Sequence, residues 1–176
     1  MPEKKKPVKR VGSKVGLGAA PEKRVVKKNA GSAKAQKVAA RLAAVQVLYQ
    51  MRLNNQEAKS AVREFIDTRI GFDLDGDKFV PADTELLSEI VMGVTKRWTD
   101  IEVILAKALA DGKKGEVETL LESILRAGIY ELMAHSSTDA GIIINDYLNV
   151  TTGFYDGSEP KIVNAILDKV AKSVRD

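Results

Sequence analysis

The chain has 176 residues, 44% of them hydrophobic and 30% charged, with no cysteine and one histidine. That is enough for one domain with an ordinary packed core. It excludes a disulfide framework, a thiolate nucleophile and a Cys-ligated metal site, and no stretch approaches the roughly 18 apolar residues of a membrane span. The net charge of +4 hides an asymmetry: residues 1–41 carry 13 Lys/Arg against only Glu3 and Glu22, which leaves 15 Lys/Arg and 22 acids in the remainder. A basic arm on a mildly acidic body points to a polyanion at one end and a different partner elsewhere. The first residues are charged and lack an apolar h-region, so the composition reads as that of a bacterial-style cytoplasmic protein without a secretory signal.

In chain order, residues 1–31 read as a disordered basic arm, because Lys4-Lys5-Lys6 and the interspersed Pro and Gly leave no apolar face to bury. Residues 32–176 read as one helical domain. Ser32 is suited to cap a helix running from Ala33 to Met51, with Val38, Leu42, Val45 and Tyr49 on one stripe. Lys34, Lys37 and Arg41 share a neighbouring face, at the helix end where the macrodipole disfavours cations. A second helix is expected over Glu57–Arg69, then a loop over Gly71–Pro81, then a third helix capped by Asp83 with Leu86, Leu87, Ile90, Val91 and Val94 inward. The pattern continues through Trp98, Ile101, Val103, Leu105 and Leu109 into a fourth helix after a break near Lys96. A turn at Asp111–Gly115 precedes a fifth helix over Glu116–His135, a sixth over Gly141–Thr152, and a last one from Pro160 to Val174. No segment alternates as a strand does. The expected class is all-α, with six or seven helices.

The motifs argue against catalysis. His135 has no Cys or second His to share a metal, and its place at a helix end suits a cap on the last carbonyls. Asp73-Leu-Asp75-Gly76-Asp77 opens like a calcium loop, but the sixth and twelfth positions are Lys78 and Thr84 where Gly and Glu are needed. No phosphate-binding glycine loop follows a strand. What remains is the stretch from Asn149 to Asn164, where Phe154, Tyr155 and Lys161 lie together between two helices. Exposed aromatics beside cations suit unpaired RNA, in which bases stack and phosphates need charge; Phe154 filling a gap between helices is the plain alternative.

Four blocks carry a resemblance. Arg41-Leu-Ala-Ala-Val45-Gln46-Val-Leu48-Tyr49, Leu125-Arg126-Ala-Gly-Ile-Tyr130-Glu131-Leu132, Ile143-Ile144-Asn145-Asp146 and Val163-Asn164-Ala-Ile-Leu167-Asp168-Lys169 resemble, in order, the A-V-Q-A-L-Y, L-R-x-A-x-Y-E-L, V-I-N-E and V-N-G-V-L-D-K segments of the NusB family. The resemblance covers most of residues 33–172. It implies an all-α fold of two small packed bundles and a transcription antitermination factor that needs no cofactor. It also implies binding to boxA RNA together with the ribosomal protein NusE, within the RNA polymerase antitermination complex that reads through ribosomal RNA operons. By residue, it implies RNA contact at Lys34, Lys37, Arg41 and Tyr49 on the first helix and at Phe154, Ser158 and Lys161 before and within the last, and a partner surface along Glu116–Leu132. Two departures stand out: Ile162 replaces a Phe before Val-Asn, and Phe154-Tyr-Asp-Gly-Ser-Glu replaces Phe-Gly followed by acids. The competing reading is the NusB-like RNA-binding domain of an rRNA cytosine methyltransferase, present as a fragment, since a nucleophilic Cys and a cofactor domain are missing. Monomer and homodimer both fit.

Overall fold

Seven α-helices account for nearly every residue described by the computed structural model, which covers residues 31–70, 80–110 and 117–175. The basic arm up to residue 30, the loop over 71–79 with its calcium-loop candidate, and the Asp111–Gly115 turn lie outside the described residues. The helices are α1 (Ala33–Asn54), α2 (Ala58–Arg69), α3 (Thr84–Lys96), α4 (Trp98–Ala110), α5 (Thr119–Ala134), α6 (Ala140–Thr152) and α7 (Glu159–Val174).

Their boundaries have local causes. The Ser32 hydroxyl accepts the Ala35 N–H at 3.2 Å, and the Asp83 carboxylate accepts those of Glu85 and Leu86, as the sequence predicts. Glu57 caps α2 in the same way through Lys59 and Ser60, and these backbone hydrogen bonds hold its carboxyl below the usual range. Asn55 takes the left-handed conformation that closes α1. Pro160 sits in the first turn of α7, where its missing N–H is not needed.

Helices α1, α2 and α3 pack as one group and α4, α5, α6 and α7 as another, with α1 lying against α5 between them. Arg41 near the start of α1 meets Glu131 near the end of α5, so the two run antiparallel. Contact from α2, α3, α5 and α6 encloses α1, and its buried face is broader than the expected stripe: Ala40, Ala43, Ala44, Val45, Val47 and Leu48 are buried. The small alanines allow that close approach. Leu42, expected inward, is 36% exposed, and Val103 on α4, also expected inward, is 64% exposed. The 3.6-residue period alone could not tell which neighbours would be present. From Leu121 to Leu132, α5 is buried except at half-buried Glu122, so it forms the centre of the core.

Two glycines allow the closest approaches. A Cβ on Gly128 would lie 2.9 Å from the Leu167 methyls, and one on Gly93 would overlap the Tyr130 ring. Overpacking of this kind costs about 1–3 kcal/mol, more than the ~1 kcal/mol that alanine gains over glycine in a helix. Gly93→Ala should therefore lower the unfolding free energy measured by urea titration; an unchanged or raised midpoint would show that Tyr130 moves aside freely.

Candidate nucleic-acid interface

The expected contact residues fall into two groups at opposite ends of α1. Lys34 and Lys37 project from its first turns, both exposed and neither in an ion pair with a described residue. No acid occupies that first turn, so the positive charge stands uncompensated at the unfavourable end of the helix dipole. Tyr49 lies 12 residues beyond Lys37, roughly 18 Å along the axis. There it lines a cleft of about 520 Å³ together with Phe154, which is 36% exposed. Phe154 thus both fills a gap and keeps part of its ring open.

Ser158 and Lys161 follow within the first turn of α7. Ser158 stands at the N-cap position, but its hydroxyl makes no capping bond, and Lys161 is exposed and unpaired among the described residues. Tyr155 turns inward instead and donates its hydroxyl proton to Glu118 at 2.8 Å, fixing the connection between α6 and α7 against the start of α5. Burial and that bond push its phenol pKa upward.

Arg41 does not join either group. It lies one turn beyond Lys37, and the family resemblance implies an RNA contact there, but α6 covers this part of α1 and the guanidinium is only 5% exposed. Its Nε and Nη2 donate to the two oxygens of Glu131 at 2.9 and 2.7 Å, and Nη1 donates to Asp146 at 3.0 Å. Glu131 is fully buried. It also accepts the Tyr147 hydroxyl at 2.7 Å and His135 Nδ1 at 3.1 Å, so each of its oxygens receives two donors. That fills the four acceptor positions of a carboxylate. Burial works against its charge, but the hydrogen bonds from His135, Arg41 and Tyr147 outweigh it and hold Glu131 below its ordinary pKa. Burial likewise opposes charge on Arg41, and Glu131 more than compensates. Tyr147, wholly enclosed, stays protonated, with burial the main cause.

The outer end of this network is His135. Its Nε2 lies 2.7 Å from Glu89 on α3, so both ring nitrogens face carboxylates. A carboxyl group at each ring nitrogen favours the imidazolium form, in which both nitrogens are donors. The bond to Glu131 is the chief cause of a pKa raised above the ordinary 6.5, with burial opposing and Glu89 assisting. The ring thus links carboxylates, and the expected carbonyl cap is supplied by another residue. Arg175 donates to the carbonyls of Leu132, His135 and Thr138 at the end of α5.

Glu131, Asp146 and Arg126 stand within the family-like blocks, but their pairings are visible only in the structure. Arg126 donates to Glu102 at 2.6 Å, pairs with Glu122, and stacks on Trp98 with its Cζ 4.7 Å from the ring centre, which ties α4 to α5. The available signal was a single charge inside an apolar run, as in Ile129-Tyr130-Glu131-Leu132. Among the described residues no cluster suits a metal ion, and no helix is long and apolar enough to cross a membrane.

Removing one partner of a buried ion pair leaves the other uncompensated and costs about 3–5 kcal/mol. Arg41→Met should lose that much in denaturant unfolding, and Arg41→Lys should recover little because ammonium lacks the bidentate fork; a loss below about 1 kcal/mol would show that the network is not structural. A folded-state pKa raised above the unfolded value gives His135 a stabilising contribution that is complete below about pH 6.5 and is lost as pH rises through the folded value. The stability gap between the natural chain and His135→Asn should therefore be widest near pH 6 and narrow above it; a gap that widens toward alkaline pH would contradict the imidazolium bridge.

Known proteins match both sequence and fold. The sequence profile of the NusB family matches residues 38–172. The transcription antitermination protein NusB of Rhizobium rhizogenes is 38% identical over 141 residues, spanning 80% of this chain and 88% of that protein. Its counterpart from Bartonella henselae is 37% identical over 138 residues, spanning 78% and 87%. Among solved structures, NusB of T. maritima superposes with a TM-score of 0.64 at 19% identity, over 80% of this chain and 93% of that one. A crystal structure of the antitermination factors NusB and NusE in complex with double-stranded RNA matches with a TM-score of 0.64 at 22% identity, over 80% and 98%. A seven-helix fold and a sequence match of this extent together establish that the chain belongs to the NusB family of transcription antitermination proteins, a non-enzymatic family.

Proposed function

We propose that this protein acts in the cytoplasm as an antitermination factor that binds boxA RNA together with NusE and supports readthrough of ribosomal RNA operons by RNA polymerase. The observation that carries the reading is the extended match to NusB relatives, joined to a related structure that holds NusE and RNA. The exposed chemistry agrees with it. Lys34 and Lys37 supply unpaired charge for phosphate, Tyr49 and Phe154 supply ring faces, and Ser158 and Lys161 supply an uncommitted hydroxyl and a cation. Arg41 enters as a positioning residue: by anchoring α1 to α5 and α6 it sets the direction in which Lys34 and Lys37 point. The methyltransferase-domain alternative has no observation in its favour, and the matched relatives are antitermination proteins.

Affinity should rest largely on counterion release, falling with log salt at about −0.7 per neutralised phosphate of single-stranded RNA. Fluorescence anisotropy with a boxA-type RNA should show weak binding alone and tighter binding with NusE. Lys34→Ala with Lys37→Ala should weaken binding and flatten the salt slope by roughly 1.4 for two lost contacts. Absence of binding at low salt, with and without NusE, would overturn the function; an unchanged slope would remove these two lysines from the interface.

A further inference from the structure

Helix α3 meets α5 along a seam that is tight at its centre and open at one edge. Leu87, Ile90, Val91 and Val94 of α3 are buried, and the notch at Gly93 takes the Tyr130 ring of α5. Beside that notch a cleft of about 370 Å³, lined by Gly93, Lys96, Arg97, Tyr130, Met133 and Ala134, keeps the two helices out of full contact. The His135 ring bridges the seam next to it, with Nε2 2.7 Å from Glu89 of α3 and Nδ1 3.1 Å from Glu131 of α5.

The two carboxylates differ in whether they can do without the ring. Glu131 is fully buried, and His135 is one of the donors that fill its acceptor positions, beside Arg41 and Tyr147. Glu89 is 50% exposed, so water can take the place of the ring there. A buried acceptor left unpaired is far more costly than an exposed one. The Tyr130 ring meets the imidazole edge-on at 6.2 Å and holds each nitrogen toward its own carboxylate. When the imidazolium gives up one proton, the remaining N–H therefore stays on Nδ1, and Nε2 becomes an acceptor facing Glu89. Two acceptors repel, so the tie to α3 is cut while Arg41, Glu131, Asp146 and Tyr147 keep theirs.

The other groups around the ring come from every side of α5. The Tyr130 hydroxyl lies beside Glu89, Arg97 of α3 faces Tyr130, and Arg175 of α7 binds the His135 carbonyl. Arg41 of α1 and Tyr147 of α6 reach the ring through Glu131, Asp146 of α6 through Arg41, and Glu102 of α4 is paired with Arg126. Glu131 first and then Glu89 raise the ring's pKa against the effect of burial, which sets the change above the ordinary 6.5.

We propose that His135 is a proton-operated latch between the two helix groups: the imidazolium ties Glu89 of α3 to the buried network, and the neutral ring stays with Glu131 and releases α3. The latch does not depend on the RNA-binding reading. Because the apolar centre of the seam and the Tyr130 notch are untouched, the release loosens the open edge without detaching the helix.

The test uses the full chain, whose one histidine gives a single imidazole signal. Long-range nitrogen–proton NMR should show both ring nitrogens protonated at about pH 6 and only Nδ1 protonated at about pH 9. Amide-exchange protection around Glu89, corrected for the intrinsic rate at each pH, should fall about twofold to fivefold over that range, the size for a partly exposed ion pair. Protection in α1 and α6 should stay constant. In Glu89→Gln the amide offers an acceptor to Nε2–H and a donor to bare Nε2, so α3 protection should no longer change with pH. A neutral ring protonated at Nε2 would overturn the latch, because the buried carboxylate would then be the one let go. So would pH-independent α3 protection in the natural chain, or an equal fall in Glu89→Gln, which would place the titrating group elsewhere. A fall shared by α1 and α6 would overturn it too, by showing that the whole network opens.

Discussion

The buried carboxylate of Glu131 is the point on which the arrangement depends. It is fully enclosed, accepts four donors, and draws them from α1, α6 and its own helix. Desolvating a carboxylate and a guanidinium costs several kcal/mol per ion, and their attraction recovers this only with good geometry and full hydrogen bonding. Such a network adds little net stability over an apolar core of the same shape. What it supplies is uniqueness: apolar contacts between α1 and α5 tolerate sliding by a turn, whereas the bidentate Arg41 fork fits one register only. Three of the four sequence blocks shared with the family meet at this point, through Arg41, Glu131 and Asp146.

That anchoring separates two kinds of positive charge that look alike in the sequence. Lys34, Lys37 and Arg41 follow a helical spacing and read as one basic stripe. The structure divides them at the place where α6 crosses α1, leaving two cations exposed at the surface and one in the interior. The division follows residue chemistry, because Arg presents a planar fork that is satisfied by two carboxylates, whereas the strongly hydrated Lys ammonium remains at the surface.

The helices were legible in the sequence because capping residues and apolar periods are local signals: Ser32, Asp83 and Pro160 mark real boundaries. The resemblance blocks were also legible, and they led to the family. What periodicity could not show was how many sides of each helix would be covered. Leu42 and Val103 therefore came out exposed, and α5 came out buried nearly all round. Nor could it show pairings between distant residues. His135, expected to cap the carbonyls, joins carboxylates instead, and the distant Arg175 caps the helix. Of the candidate site, the two exposed lysines and the pair Tyr49 and Phe154 were visible as residue types. The closing of the Tyr49 and Phe154 cleft by Phe65 and Arg69 needed α2 in place.

The central network also has a consequence for the order in which the molecule is made. Arg41 is 90 residues from Glu131 and 105 from Asp146. During synthesis its guanidinium stays hydrated until α5 and α6 have both emerged, because its buried acceptors among the described residues lie on those two helices. Contacts of such long range form late, after loop-closure entropy has been overcome. The basic start of α1, although it is translated early, is therefore held against α5 and α6 only once most of the chain exists, and an incomplete product leaves Lys34 and Lys37 on a helix whose direction is not yet fixed.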